Sequence, residues 1–184
     1  MSADRERIRQ HLLAHSVRRG DFVLKSGRRS DWFIDSKQTI CAPDVMVDVA
    51  TQLLERIPPD ATALGGLTMG ADGVTFITAA VAATRGRMLR AFSVRKEEKD
   101  HGAKGRIAGS LLVGDRVVIT EDTVTRGTSL LEAARVVRDF GASVVLLLAV
   151  VDRGGTAGAM AAAEGLAFDA LFSAPDLGFP YEGV

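Results

Sequence analysis

The chain has one cysteine, Cys41, in 184 residues. An internal disulfide and a zinc site built from several cysteines are therefore excluded, and one cysteine fits a reducing compartment. No apolar run is long enough to span a bilayer: the longest, residues 144–151, is well short of the about 20 residues needed. The N-terminal segment is charged from Asp4 onward and lacks the apolar core of a signal peptide. Excess charge of one sign is missing too. With 23 basic and 23 acidic residues the formal net charge is zero, so no long-range field draws the chain to nucleic acid or to an anionic membrane. Any anion site must be local, and the basic cluster within residues 95–99 is the obvious candidate. There is no internal repeat, no linker between two domains, and no GxxxxGK[ST] phosphate loop. What remains is the expectation of a soluble, cytoplasmic protein with one α/β domain. Its single core would bury roughly 70% of the unfolded chain's surface.

The pattern along the chain alternates. Residues 4–15 read as a polar-faced helix with Ile8, Leu12 and Leu13 on one side. Residues 21–24 and 32–35 read as strands of a hairpin turning at Ser26-Gly27-Arg28. Pro43 opens an amphipathic helix in which Val45, Met46, Val49, Ala50, Leu53, Leu54 and Ile57 recur at helical spacing, until Pro58-Pro59 stops it. Strands are predicted at 63–64, 88–93, 116–120, 143–151 and 170–173. Helices are predicted from the 65–73 loop to about Arg85, at 130–140 (closed by Gly141), and at 156–164. Such alternation implies a mainly parallel sheet with helices on both faces. Residues 97–110 carry few apolar side chains and three glycines. A loop of that length is usually functional or disordered. Arg95, Lys96, Lys99, His101 and Lys104 place cations on and beside it, as a lid closing over a polyanion requires.

The most informative stretch is residues 117–129, VVITEDTVTRGTS. A β-branched strand of this kind is usually buried in a parallel sheet. It leads to Glu121 and Asp122, which then sit at its carboxyl end, where open α/β sheets hold ligands. The segment Thr123, Val124, Thr125, Arg126, Gly127, Thr128 and Ser129 offers backbone N–H groups and hydroxyls at a helix start, a phosphate cradle. Carboxylates beside such a cup suit a ribose 5-phosphate. The plainer reading is a buried strand before a helix capped by Thr128 or Ser129, with the acids answering the helix dipole.

The whole run resembles the phosphoribosyl-diphosphate (PRPP) signature of the type I phosphoribosyltransferases. VRKEEKDHGAKGRIAG at 94–109, FVLKSGRRSDWFIDSK at 22–37 and GGLTMGADGV at 65–74 narrow the resemblance to the orotate phosphoribosyltransferases. It implies an open, mainly parallel twisted sheet flanked by helices, with residues 1–40 and the C-terminal tail forming a small hood over the base site. The implied reaction is the magnesium-dependent, reversible conversion of orotate and PRPP to orotidine 5′-phosphate and pyrophosphate, a step of pyrimidine biosynthesis. The implied catalytic residues are Lys99, His101 and Asp122. Glu121 and Asp122 would bind the ribose hydroxyls, residues 123–129 the 5′-phosphate, and Arg95 and Lys96 the pyrophosphate. Lys99 and His101 would reach across a homodimer interface into the neighbouring site. Orotate would meet Arg153, Thr125, Lys25 and Phe33, and Mg²⁺ would be held mainly by substrate oxygens rather than by protein ligands.

Three positions depart from the family's usual pattern. Arg126 stands where a small residue is common, so an extra cation lies near the cup or points to solvent. Met69-Gly70 replaces an aromatic followed by lysine, which leaves any pyrophosphate contact there to backbone. Glu121 replaces the commoner aspartate. His11 and His15 read as surface helix residues with no chemical role, and Cys41 as packing. Two alternatives stay open: a phosphoribosyltransferase for another base, and a PRPP-sensing regulator on the same fold.

Overall fold

The computed structural model describes residues 2–23, 27, 29–99 and 105–182, without the side chains of Glu98 and Lys99. Its centre is a six-stranded sheet in the order β5-β4-β3-β6-β7-β8. The strands are β3 (Ala63–Leu67), β4 (Arg90–Lys99), β5 (Gly105–Gly109), β6 (Arg116–Val124), β7 (Ser143–Asp152) and β8 (Phe168–Ser173). All neighbours run parallel except β4 and β5. The middle strands read as unbroken apolar runs because both of their faces are covered. Val118, Leu148 and Val150 face one core layer, shared with helices α1 (Ala3–His11), α3 (Met46–Leu54) and α4 (Gly70–Thr84). Val117, Ile119, Leu147 and Ala149 face the other, under α5 (Thr128–Phe140) and α6 (Ala157–Ala163). This split follows from the two-residue period of a strand.

A separate antiparallel ribbon, β1 (Val17–Val23) with β2 (Arg29–Ile34), is bulged between Arg19 and Phe22. It drops Trp32 and Ile34 into the first core layer. A short helix, α2 (Lys37–Ile40), connects it to the domain. Among the described residues no helix is long and apolar enough to cross a membrane.

The sheet order places the site. From β3 the chain crosses to β4 on one side, then returns to the other side for β6, β7 and β8. Beyond the carboxyl ends of β3 and β6 this reversal leaves a crevice, the usual ligand position in an open α/β sheet.

Several sequence expectations need correction. Within the polar stretch at 97–110, residues 97–99 and 105–109 are strand. β4 runs on to Lys99 and pairs with β5, Val94 opposite Ile107 and Lys99 opposite Gly105. A charged strand is stable there because backbone pairing, not burial, holds the edge of a sheet. β6 continues through Val124, so Glu121, Asp122, Thr123 and Val124 are strand residues rather than loop. The cap of α5 is Gly127, in the left-handed region at φ 86°, and neither Thr128 nor Ser129 caps it. The helix opened by Pro43 starts only at Met46, and the α helix expected to reach His15 ends at His11 before a π turn, Leu12–Ser16. His11 is not a free surface residue: its side chain is 11% exposed and its Nδ1 lies 2.9 Å from Thr39 Oγ1. Cys41 is exposed rather than packed.

Candidate active site

A cleft of ≈ 810 Å³ opens over the carboxyl end of β6. One wall is the passage from β6 into α5: Glu121, Thr123, Val124, Thr125, Arg126, Gly127, Thr128 and Ser129. The other is Arg18, Phe22, Val23 and Phe33 of the hairpin, with Arg153 between them. The β6-to-α5 passage turns in three residues because Gly127 takes the left-handed conformation, which leaves the first N–H groups of α5 open to the cleft. Arg126 is exposed and faces this space.

The two carboxylates sit in different surroundings although they are neighbours in sequence. Both are almost fully buried. Asp122 pairs with the Lys37 ammonium and accepts the Thr123 N–H at 2.7 Å. Burial opposes the Lys37 charge, but Asp122 outweighs it and the lysine is raised above its ordinary value. Glu121 accepts the Asp122 N–H at 3.2 Å. Burial first, and the Asp122 charge second, push the Glu121 carboxyl up to about 8. Burial thus disfavours the anionic form of Glu121, while Asp122 beside it has Lys37 as its ion-pair partner.

Gly70 explains how Glu121 fits. A Cβ on Gly70 would lie 2.0 Å from Glu121 Oε1 and 3.0 Å from Asp122 Oδ1, so glycine at the start of α4 lets the helix end close over the acids without displacing the Glu121 carboxyl. The departures at Gly70 and Glu121 are thus one spatial feature: the longer acid fills the space that a side chain at residue 70 would take. The loop is held by Asp72, which accepts from Thr68 Oγ1 and Ser93 Oγ, each at 2.7 Å.

Arg153 follows β7 and is buried. Its Nη2 donates to Ser30 Oγ at 3.0 Å and to the Trp32 carbonyl at 2.8 Å, and its guanidinium lies 4.9 Å from the Trp32 ring centroid. Burial pulls it below the usual arginine value, with Glu182 acting in the opposite sense. Among the described residues its Nε is buried without a partner, a group that a ligand acceptor can satisfy. Gly154 lets this turn approach Thr125, whose carbonyl would lie 1.6 Å from any Cβ there.

The structure thus brings Glu121, residues 123–129, Phe33 and Arg153 to one cleft, with Asp122 next to Glu121 behind it. Arg95 and Lys96 continue β4 just past the end of β3, and Arg95 Nη1 donates to the Gly105 carbonyl at 3.3 Å. They are not among the residues lining the cleft. Lys25 and His101 lie outside the described residues, as does the Lys99 side chain. Sequence reasoning gave no role to Arg18, Ser30, Trp32, Lys37 and Glu182. Lys37 and Trp32 did stand inside the quoted 22–37 segment, but nothing in their spacing announced what they touch.

No protein-family model matches the chain. An orotate phosphoribosyltransferase of Bradyrhizobium diazoefficiens is 38% identical over 180 residues, 95% of this chain and 96% of that protein. The chain belongs to the orotate phosphoribosyltransferase family. A second member, from Nostoc, is 35% identical over 99% of this chain and 89% of its own length. The family's enzyme from Mycobacterium tuberculosis H37Rv, solved with inorganic phosphate, superposes with a TM-score of 0.84 at 33% identity, covering 97% of this chain and 100% of that one. The same enzyme solved with PRPP gives 0.80 at 32% identity, covering 96% and 99%. Membership makes the chain a pentosyltransferase with the type I fold. An adenine phosphoribosyltransferase of Leishmania donovani, 15% identical, shares that fold alone.

Proposed function

We propose that this chain transfers the 5-phosphoribosyl group from PRPP to orotate in the cleft at the β3/β6 edge, giving orotidine 5′-phosphate and pyrophosphate in pyrimidine biosynthesis. The observation that carries the reading is the cleft itself. It sets the β6-to-α5 passage at 123–129, suited to a phosphate, opposite a buried arginine whose Nε–H has no partner among the described residues, suited to an anionic base, in a chain with the family's sequence throughout. The relatives' shared name favours orotate over another base and over a sensor.

Displacement at the ribose anomeric carbon passes through an oxocarbenium-like state. Positive charge grows on the sugar as negative charge grows on pyrophosphate, and a preorganised site stabilises both. Glu121 and Asp122 bind the ribose hydroxyls, and the negative charge of the acidic pair favours the cationic sugar. Thr123, Val124, Thr125, Arg126, Gly127, Thr128 and Ser129 hold the 5′-phosphate through backbone N–H groups and hydroxyls. Arg95 and Lys96 face pyrophosphate, and the 68–70 loop approaches it with backbone. Arg153 pairs with the orotate carboxylate. Thr125 makes a second contact, while Phe33, Lys25 and the rest of the 1–40 segment close over the base with the C-terminal tail as a hood within one domain.

Among the described residues no three His, Cys, Asp or Glu side chains group to hold a metal. Magnesium would attach through pyrophosphate and ribose oxygens and water, its usual habit at phosphate ligands. When bound, the ion would neutralise charge on the departing pyrophosphate, and the chain's share is to hold the oxygens that carry it.

Lys99 and His101 act from the neighbouring subunit of a cytoplasmic homodimer, Lys99 neutralising the leaving group. Lys99→Ala and Asp122→Ala are each nearly inactive, and subunit exchange between them restores about a quarter of the sites, because half the dimers are mixed and each has one intact site. No recovery after exchange verified by native mass spectrometry would place the lid over its own chain's site. The primary test is spectrophotometric loss of orotate with PRPP and Mg²⁺, with uracil and adenine as comparators. Turnover of either comparator at the orotate rate would overturn the assignment of base.

A further inference from the structure

Resting on the orotate reading of the cleft, we propose that Glu182 of the C-terminal tail is a positioning residue for base binding, acting through Ser30 to present Arg153. The tail reaches this point on two anchors. The Phe179 ring stacks on Trp32 at 4.5 Å between centroids. The Glu182 N–H donates to the Arg153 carbonyl at 2.9 Å. Tyr181 packs against Gly155 so closely that a Cβ there would lie 2.7 Å from the ring.

The side chains then form a chain of contacts with a direction. Ser30 Oγ lies 2.7 Å from Glu182 Oε1, 2.6 Å from the Trp32 carbonyl and 3.0 Å from Arg153 Nη2. A serine hydroxyl has one proton and two acceptor positions. Given to Glu182, that proton leaves the oxygen lone pairs for Arg153 Nη2 and for the Trp32 N–H at 3.2 Å. The Trp32 carbonyl is then free to accept the other Nη2 proton at 2.8 Å. Without the Glu182 acceptor, the Ser30 hydroxyl turns to the Trp32 carbonyl and competes with Arg153 for it. With both Nη2 protons fixed on the hairpin, the Nε–H, buried and without a partner among the described residues, and the Nη1 protons are the donors left for an anionic base. Ser30 is itself 6% exposed, so water does not substitute readily for any of these partners.

The test uses steady-state kinetics on the full chain, with thermal melts to confirm folding. Glu182→Ala should raise the orotate KM about tenfold and leave the PRPP KM within twofold. Glu182→Gln, whose amide oxygen still accepts from Ser30, should restore the orotate KM to within about threefold of the parent. Ser30→Ala should reproduce the Glu182→Ala result, and it serves alone if Glu182→Ala does not fold. An unchanged orotate KM in Glu182→Ala, equal rises in both KM values, or a Gln variant no better than Ala would overturn the proposal. Arg153→Ala separates the two levels. A large orotate effect there with a silent Glu182→Ala removes the relay and leaves the base site standing, whereas a silent Arg153→Ala removes the base-site reading and the relay with it.

Discussion

One wall of the cleft comes from a single uninterrupted passage, the end of β6, a three-residue turn and the start of α5. The opposite wall takes Arg18 and Phe33 from the ribbon, and Arg153 from the end of β7, with Glu182 of the tail behind it. The first wall works through backbone groups whose positions are set by strand, glycine and helix geometry. The second works through side chains that meet only because distant segments dock. The difference predicts how each fails. A backbone cradle tolerates single side-chain changes, whereas the docked wall loses its function when one contact is removed.

Arg153→Ala should give the largest effect on that contrast. Loss of a charge-assisted contact costs roughly 1.5–3 kcal/mol, so the orotate KM should rise more than tenfold while PRPP binding stays nearly intact. Equal losses for both substrates would mean a structural arginine and would erase the distinction between the walls. Asp122→Asn keeps shape but removes the carboxylate that pairs with Lys37. Turnover should fall by more than tenfold, at least ~1.4 kcal/mol of transition-state stabilisation, and parental turnover would dismiss its role. Lys37→Met frees Asp122 from its ion pair. Because Lys37 is nearly half exposed, solvent screening keeps the effect to a few-fold, read as a kcat change that exceeds any change in orotate KM.

The smallest effect concerns pH. The Glu121 carboxyl rises from an ordinary 4.5 to about 8 in the fold, so between those values the folded chain holds a proton that the unfolded chain has lost. Stability from this group is complete below about pH 4.5 and declines as pH rises toward 8. Glu121→Gln should flatten that part of the dependence of Tm on pH. An unchanged slope would mean that burial does not hold the proton on Glu121.

The run at 117–129 was legible because its information is local: β-branched residues for a buried strand, then glycine and hydroxyl residues at a helix start. Its boundaries were less legible. β6 extends four residues past the predicted end because β7 continues to pair with it, Val124 opposite Asp152, and cross-strand pairing of that kind leaves no mark in either strand's own composition. The same reason hid β5. Gly105–Gly109 has the polar, glycine-rich look of a loop and becomes strand because β4 supplies its hydrogen bonds.

By itself the amino-acid sequence determined the alternating α/β order, the exclusion of an internal disulfide, the lack of an apolar run long enough for a membrane-spanning helix, and the family, since short-range periodicity and contiguous motifs depend only on neighbours along the chain. Tertiary structure alone decided that Lys37 pairs with Asp122 but not with Glu121, that Gly70 makes room for the longer acid, and that Glu182 meets Ser30 across 152 residues. Those contacts depend on how separate elements dock around one buried core, and the charge on each acid follows from the burial and partners that docking imposes.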